Sequence, residues 1–430
     1  MNVEPRPGRG RLTSVTSFMV RRLLRVTVTG LIALLPSVYL NGQTPVSTAR
    51  QRLIGYFPQW GLYDEPQYLV KNLVSSHAAD LLDQLNYAQG FVTDGRCSIA
   101  DPHADLNVTF RADQSVDGVA DSALQPVRGN LNQLAKLKLR YPKMKLVLSL
   151  EGRGGDFAQD ARPENREAFV ASCVDLFVKG NIAPGVQVPR LFDGIDVDWE
   201  YPRGDDAPNF LALLAELRRQ MDAVRPGLLL TIAVGPSPRM YEPSDFGAIS
   251  KLVDEVGLMT YDFTGPWSPV TGFLSPLSAP TDRRVGTVKG TVEAFLSAGV
   301  PASKLLVGLP FYGYGWHQVL EDNHGLFQEG QGIRGDRPYR ELETMIGGST
   351  VYRDPDSRAP WLFDGDSFWT YDDPVSIRFK TDYVASQQLG GVMIWELGED
   401  NQAGALLHSA YEGLNDGSRS VAAKLDPVGQ

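Results

Sequence analysis

One stretch carries most of the chemistry, Phe192-Asp-Gly-Ile-Asp-Val-Asp-Trp-Glu-Tyr-Pro202, with carboxylates at Asp193, Asp196, Asp198 and Glu200. The apolar residues between them predict a strand over 191–200. Side chains alternate across a strand, so Asp196, Asp198 and Glu200 share one face at steps of about 6.5–7 Å. Ile195, Val197 and Trp199 take the other face, toward covering helices. Three acids on one buried face repel each other and lose hydration, so at least one keeps its proton near neutral pH. A structural core does not normally accept that cost, whereas a general acid needs a protonated carboxyl. The competing readings are a solvated edge strand or a calcium site. Calcium sites usually draw oxygens from loops and backbone carbonyls, and these acids interrupt an apolar strand.

The elements that must position these acids follow a regular alternation. Strand candidates are 53–57, 83–92, 144–150, 191–200, 228–235, 253–261, 304–312 and 390–397. Several are nearly continuous in Val, Ile and Leu, as parallel strands covered on both faces are. Helical periodicity falls between them at 132–140, 208–224, 287–298 and 376–389. Over 208–224 the stripe is Phe210, Leu213, Leu214, Leu217 and Met221, and it starts at a proline suited to a first helical turn. Eight strands with intervening helices predict an α/β fold, a closed (β/α)8 TIM barrel. A doubly wound open sheet is the alternative, but no GxGxxG turn follows any strand. Between strands seven and eight lie about 75 residues, far more than an ordinary connection. A helix over 339–346, short strands near 351, 361 and 368, and a hairpin turn at Asp364-Gly365 predict a small α+β insertion over 313–372.

Composition narrows the class. The chain has 430 residues, 43% hydrophobic and 21% charged, enough to bury a large core. Its 41 basic and 51 acidic residues give a net charge of −10, which argues against nucleic-acid or anionic-membrane partners. Two cysteines and five histidines without an HExxH pair predict no metal site and no cofactor. Residues 1–45, with Arg21, Arg22 and Arg25 before an apolar run to Leu40, read as a secretory leader. A signal anchor is the competing reading, although Pro36 interrupts the run and about 15 apolar residues fall short of the bilayer core. The domain plan is a leader at 1–45, a barrel over 50–415 and a flexible tail at 416–430. The chain is expected to be exported to the periplasm or beyond, with no further membrane contact, as a monomer. Export would permit a Cys97–Cys173 bridge, but Cys173 lies in an amphipathic helical stretch, 168–177, and reads as a small buried thiol.

At this point the sequence resembles family 18 glycoside hydrolases, the chitinases. Asp193-Gly194-Ile-Asp196-Val-Asp198-Trp-Glu200 matches their DGxDxDxE motif, Leu258-Met259-Thr-Tyr261-Asp262 their MxYD motif, and Gly391-Val-Met-Ile-Trp395 their strand-eight tryptophan. Ile54-Gly-Tyr-Phe57 and Leu309-Pro-Phe-Tyr-Gly313 resemble strands one and seven, the latter followed by the insertion of one subfamily. The third-strand SxGG motif departs, with Glu151 after Ser149-Leu where a glycine is expected. The resemblance implies hydrolysis of β-1,4-linked N-acetylglucosamine with retention by substrate assistance, without a protein nucleophile. Glu200 would be the general acid and base, Asp198 would hold the acetamido N–H, and Asp196 would share a proton with Asp198. Tyr261 would contact the acetamido carbonyl, Asp262 would orient the sugar, and Trp395 would floor the site. Tyr56, Met259, Ser149, Trp267 and Trp316 are further candidates around the substrate, with Phe57, Trp60 and Tyr312 at strand ends. Ser149 is expected to bond Asp196, and Asp193 to support a strand junction beside Gly194. The rivals are an endo-N-acetylglucosaminidase acting on glycans and a non-catalytic lectin-like member; the latter type typically lacks the terminal acid, present here as Glu200.

Overall fold

The computed structural model describes residues 50–153, 156–281 and 284–425, so the leader read at 1–45 lies outside the described residues. Eight parallel strands close on themselves: β1 (Arg52–Pro58), β2 (Gln84–Thr93), β3 (Lys145–Arg153), β4 (Gly194–Glu200), β5 (Leu229–Val234), β6 (Glu255–Leu258), β7 (Leu305–Pro310) and β8 (Gly391–Trp395). Each strand pairs with the next, and β8 returns to β1, which makes the sheet a (β/α)8 barrel rather than an open doubly wound sheet. The acidic strand can lie close to β5 because Gly194 has no side chain. A Cβ there would stand 2.2 Å from the Leu229 carbonyl oxygen.

The amphipathic segments form the outer layer. Helix Ala207–Val224 begins with proline in its first turn and buries Phe210, Leu213, Leu214, Leu217 and Met221. Helix Val288–Ser297 is capped by Thr287, whose side chain accepts from the Gly290 N–H, and helix Pro374–Ser386 by Asp373, which accepts from Ser376. Val197, Ile195 and Trp199 face this layer, with Trp199 packed 5.4 Å from Phe157 and 5.8 Å from Phe210. Ring packing of this kind adds to the burial of large apolar area that holds helices against the barrel.

After β7 the chain leaves the barrel for a six-stranded sheet. It is centred on Tyr312–His317, which pairs antiparallel with Phe368–Tyr371, and includes Pro360–Phe363, Thr350–Arg353 and two short strands. Helix Tyr339–Met345 lies in the same excursion. Its own core holds Phe273, Trp316, Leu326, Trp361 and Phe368.

Two expectations are corrected here. Cys97 and Cys173 form a disulfide, with Cα atoms 4.8 Å apart. Cys97 lies on the short strand Arg96–Ile99, which folds back along β2, and Cys173 ends helix Pro163–Cys173, against which that strand packs. Nothing in the local periodicity around either cysteine carries that proximity. The segment from 416, read as a flexible tail, continues helix Ala405–Leu425, anchored by buried Leu406, Leu407, Ala410 and Leu414. No helix among the described residues is long and apolar enough to cross a membrane.

Candidate active site

The C-terminal ends of the barrel strands open into a cavity of about 640 Å³. Asp198 and Glu200 from β4 line it, with Tyr56 and Trp60 from the end of β1 and the turn beyond it. Met259, Tyr261 and Asp262 follow β6, and Trp395 ends β8. The non-proline peptides Ala88–Gln89, Glu200–Tyr201 and Trp395–Glu396 are cis, and each carries a residue that lines this cavity.

Strand parity places the acids as the alternation requires. Asp196 lies inside the barrel, 1% exposed, one step below Asp198. Its carboxylate accepts three hydroxyl hydrogen bonds: from Tyr56 at 2.8 Å, Ser149 at 2.9 Å and Thr231 at 2.6 Å. Ser149 and Thr231 stand in register on the flanking strands, so the sheet itself supplies this cradle. Burial raises the Asp196 pKa, and the three donors oppose that rise. Burial, together with nearby carboxylates, lifts the Tyr56 and Tyr261 hydroxyls well above the usual phenol value, so both remain hydrogen-bond donors at any working pH.

Asp262 follows β6 with φ 59°, a left-handed conformation that aspartate tolerates better than most residues. It accepts a 2.6 Å hydrogen bond from the Tyr312 hydroxyl and another from Tyr314. Its side chain is exposed toward the cavity, yet desolvation by the surrounding protein raises its pKa, which the two tyrosine donors oppose. Aromatic rings stand in two groups on the wall: Tyr56 lies 5.4 Å from Trp395 and Trp395 6.1 Å from Trp60, while Tyr312 lies 5.4 Å from Tyr314 and 6.1 Å from Tyr261. Among the described residues no group of three or more His, Cys, Asp or Glu could hold a metal ion.

Of the residues singled out from the sequence, Tyr56, Asp198, Glu200, Met259, Tyr261, Asp262 and Trp395 line the cavity, and Asp196 and Ser149 lie directly beneath. Trp267 is 62% exposed and sets its ring edge-on to Tyr314, outside the cavity lining. Trp316 is a correction. It is fully buried in the core of the second sheet, with its indole N–H donated to the Ser268 carbonyl, and offers no face to a ligand. Asp193 stands at the opposite end of β4, bonded to the Leu146 N–H and 2.9 Å from the Lys138 ammonium. Gln89, Tyr201, Met240, Tyr314 and Asp336 also line the cavity and were not singled out. Tyr201 directly follows Glu200 and hydrogen-bonds it, which its adjacency to the motif could have suggested. Asp336 arrives from the second sheet, with no local signal.

A (β/α)8 barrel with a carboxyl ladder at the mouth of its fourth strand, walled by aromatic rings, defines the class of barrel proteins that handle saccharides. The chain belongs to glycosyl hydrolases family 18, whose family model matches residues 52–400. It is 36% identical over 386 residues to chitinase C of Streptomyces lividans, an alignment covering 85% of this chain and 60% of that protein. The chain thus spans about 60% of the length of that curated relative. Its fold superposes with TM-score 0.78 on the catalytic domain of psychrophilic chitinase B from Arthrobacter TAD20, at 30% identity, covering 86% of this chain and 97% of that one. A family 18 N-acetylglucosaminidase from Paenibacillus barengoltzii matches with TM-score 0.67 and 30% identity, over 84% of this chain and 99% of that one.

Proposed function

We propose that the protein is a chitinase that hydrolyses β-1,4-linked N-acetylglucosamine with retention, using the substrate's own acetamido group as nucleophile. Glu200 protonates the leaving glycosidic oxygen while the acetamido carbonyl oxygen attacks C1, giving an oxazolinium ion. Asp198 holds the acetamido N–H, orients the carbonyl and offsets the positive charge. Asp196, one step below on the same face, shares a proton with Asp198 as charge develops and disperses. The Tyr261 hydroxyl meets the acetamido carbonyl, Asp262 holds a sugar hydroxyl, and Trp395 offers a flat apolar floor. Glu200 then takes a proton from water, which opens the oxazolinium ion at C1 and restores the acid.

The observation that carries this reading is the hydroxyl cradle around Asp196, directly beneath Asp198 in a cavity walled by aromatic rings. Three neutral donors hold that carboxyl without an ion pair that would pin its charge. Export to an oxidising compartment belongs to the same reading, supported by the Cys97–Cys173 bridge. Family membership and the names of the relatives agree with it. The likeness to the Paenibacillus enzyme favours a second reading, an N-acetylglucosaminidase. Product lengths from N-acetylglucosamine oligomers, with N-glycans as the parallel substrate, separate the two.

The deciding experiment is Glu200→Gln, assayed on N-acetylglucosamine oligomers. Turnover should fall by about a thousandfold while oligomer binding persists. Equal loss of binding and turnover would make Glu200 a structural carboxylate and overturn the mechanism.

A further inference from the structure

The hydrolysis described above leaves a buried carboxyl close to the cleft without a task. Asp105, 2% exposed, lies on the short helical segment His103–Asn107 and does not line the cavity. It accepts hydrogen bonds from the Gln59 side-chain amide and from the Tyr87 hydroxyl, both neutral donors. Burying a carboxyl among neutral partners is costly, and an apolar side chain of that size would serve a plain core better. What such a group does provide is a fixed geometry, because a closed polar network narrows the arrangements its members can take. Asn130, on helix Gly129–Arg140, completes the network. Its amide donates to the Gln59 carbonyl at 3.2 Å and to the Tyr87 hydroxyl at 3.1 Å. The helix comes this near because residue 129 is glycine; a Cβ there would stand 2.4 Å from the Ala104 carbonyl oxygen.

The network closes on the turn that carries Trp60. Gln59 opens the turn Gln59–Leu62 and is gripped through both its side chain and its carbonyl. At the far end Leu62 packs with Ala104 and Phe110, and the Tyr63 hydroxyl donates to Asp101 at 2.6 Å. Between these anchors Trp60 is half-buried, lines the cleft and stands 6.1 Å from Trp395. We propose that Asp105 is a positioning residue that acts through Gln59 to aim the Trp60 ring at a bound saccharide. This rests on the hydrolase reading above and adds to it a residue that touches no substrate. An indole face already held at one angle meets a sugar ring without first losing freedom. That advantage belongs to binding rather than to the bond-breaking step, so it appears in KM.

The test is a double-mutant cycle on N-acetylglucosamine oligomers with Asp105→Asn, Trp60→Ala and the two combined. Asparagine keeps the shape of the side chain, but its amide nitrogen faces a group that also donates, so one of the two bonds is lost. Each single variant should raise KM by about fivefold with a much smaller change in kcat. The combined variant should be no worse than Trp60→Ala alone, since without the ring there is nothing left to aim. A KM raised by the same factor whether or not Trp60 is present would make Asp105 an ordinary core residue and overturn the inference. A wild-type KM in either single variant would overturn it as well. Should Asp105→Asn fail to fold, Gln59→Met, which breaks the same link from its other side, takes its place in the cycle. A wild-type protein that cleaves no oligomer strikes the proposed function instead, and oligomer affinity read by calorimetry then carries the same cycle.

Discussion

The two ends of the barrel handle carboxylates in opposite ways. At the N-terminal end each acid meets a base: Asp83 lies 3.3 Å from Arg50, Glu255 2.6 Å from Arg52 and Asp193 2.9 Å from Lys138. At the C-terminal end Asp196 and Asp262 are held by hydroxyls of Tyr56, Ser149, Thr231 and Tyr312. A guanidinium or ammonium fixes a carboxylate as an anion, which suits a group whose task is to stay put. A hydroxyl stabilises the anion less and leaves the proton free to come and go. The same residue type at the two ends of one strand, Asp193 and Asp196, is therefore paired with a base at one end and held by hydroxyls alone at the other.

The largest expected break in this contrast comes from Asp196→Asn. The amide cannot share a proton with Asp198, so turnover on N-acetylglucosamine oligomers should fall by about a hundredfold. The thermal midpoint should move little, since the side chain keeps its shape and one acceptor oxygen. A rate within twofold of wild type would remove Asp196 from the mechanism. Next in size is Asp193→Ala, which leaves the Leu146 N–H without its acceptor and the partly buried Lys138 ammonium with the Leu191 carbonyl but no counter-charge. Urea unfolding should show a loss of about 2 kcal/mol. Turnover at a temperature where the protein stays folded should be unchanged, and a loss of rate without a loss of stability would erase the division between the two ends.

The smallest effect sharpens the contrast at its one imperfect point, Glu255. Burial pushes its pKa up to about 7, and Arg52 only partly offsets that cost. An acid whose folded pKa lies above its unfolded value binds more protons when folded. It therefore lowers stability as pH rises from about 4.5 to 7, with no further loss above. Glu255→Gln removes the titration, so unfolding free energies measured across that window should fall less steeply than in wild type, by on the order of 1 kcal/mol. Equal slopes in the two proteins would mean that Arg52 neutralises Glu255 fully.

The barrel was legible because several of its strands are nearly continuous apolar runs, as over Leu229–Val234 and Leu305–Pro310, and that pattern needs no knowledge of what lies across from what. The acidic ladder was legible for a related reason. Parity along one strand is a local property, so Asp196, Asp198 and Glu200 could be set on one face and Trp199 on the other from sequence alone. What escaped was long-range. Cys97 and Cys173 meet because a short strand folds back onto a helix 76 positions later. Trp316 alternates with the cavity-lining Tyr312 and Tyr314 and by parity alone would join them. It is sealed instead by packing against Phe368 and by its bond to the Ser268 carbonyl. Asp336 reaches the cavity from a separate sheet, and no periodicity in its own segment points there. The helix past 416 was missed because Gly413 and Gly417 weaken helical propensity, which tertiary anchoring of the preceding turns outweighs.

The covalent link between the fold-back strand and its helix ties together the segments that lead into and out of β3, next to the acidic strand. Closing a loop of that length removes about 4 kcal/mol worth of freedom from the unfolded chain. A preparation made in a reducing cytoplasm would lack this brace, and its low yield or early melting would be an artefact of the host rather than a property of the enzyme. Recombinant material for kinetic work is best routed through a periplasm or refolded with a glutathione couple, and its thiol content counted before any rate is compared.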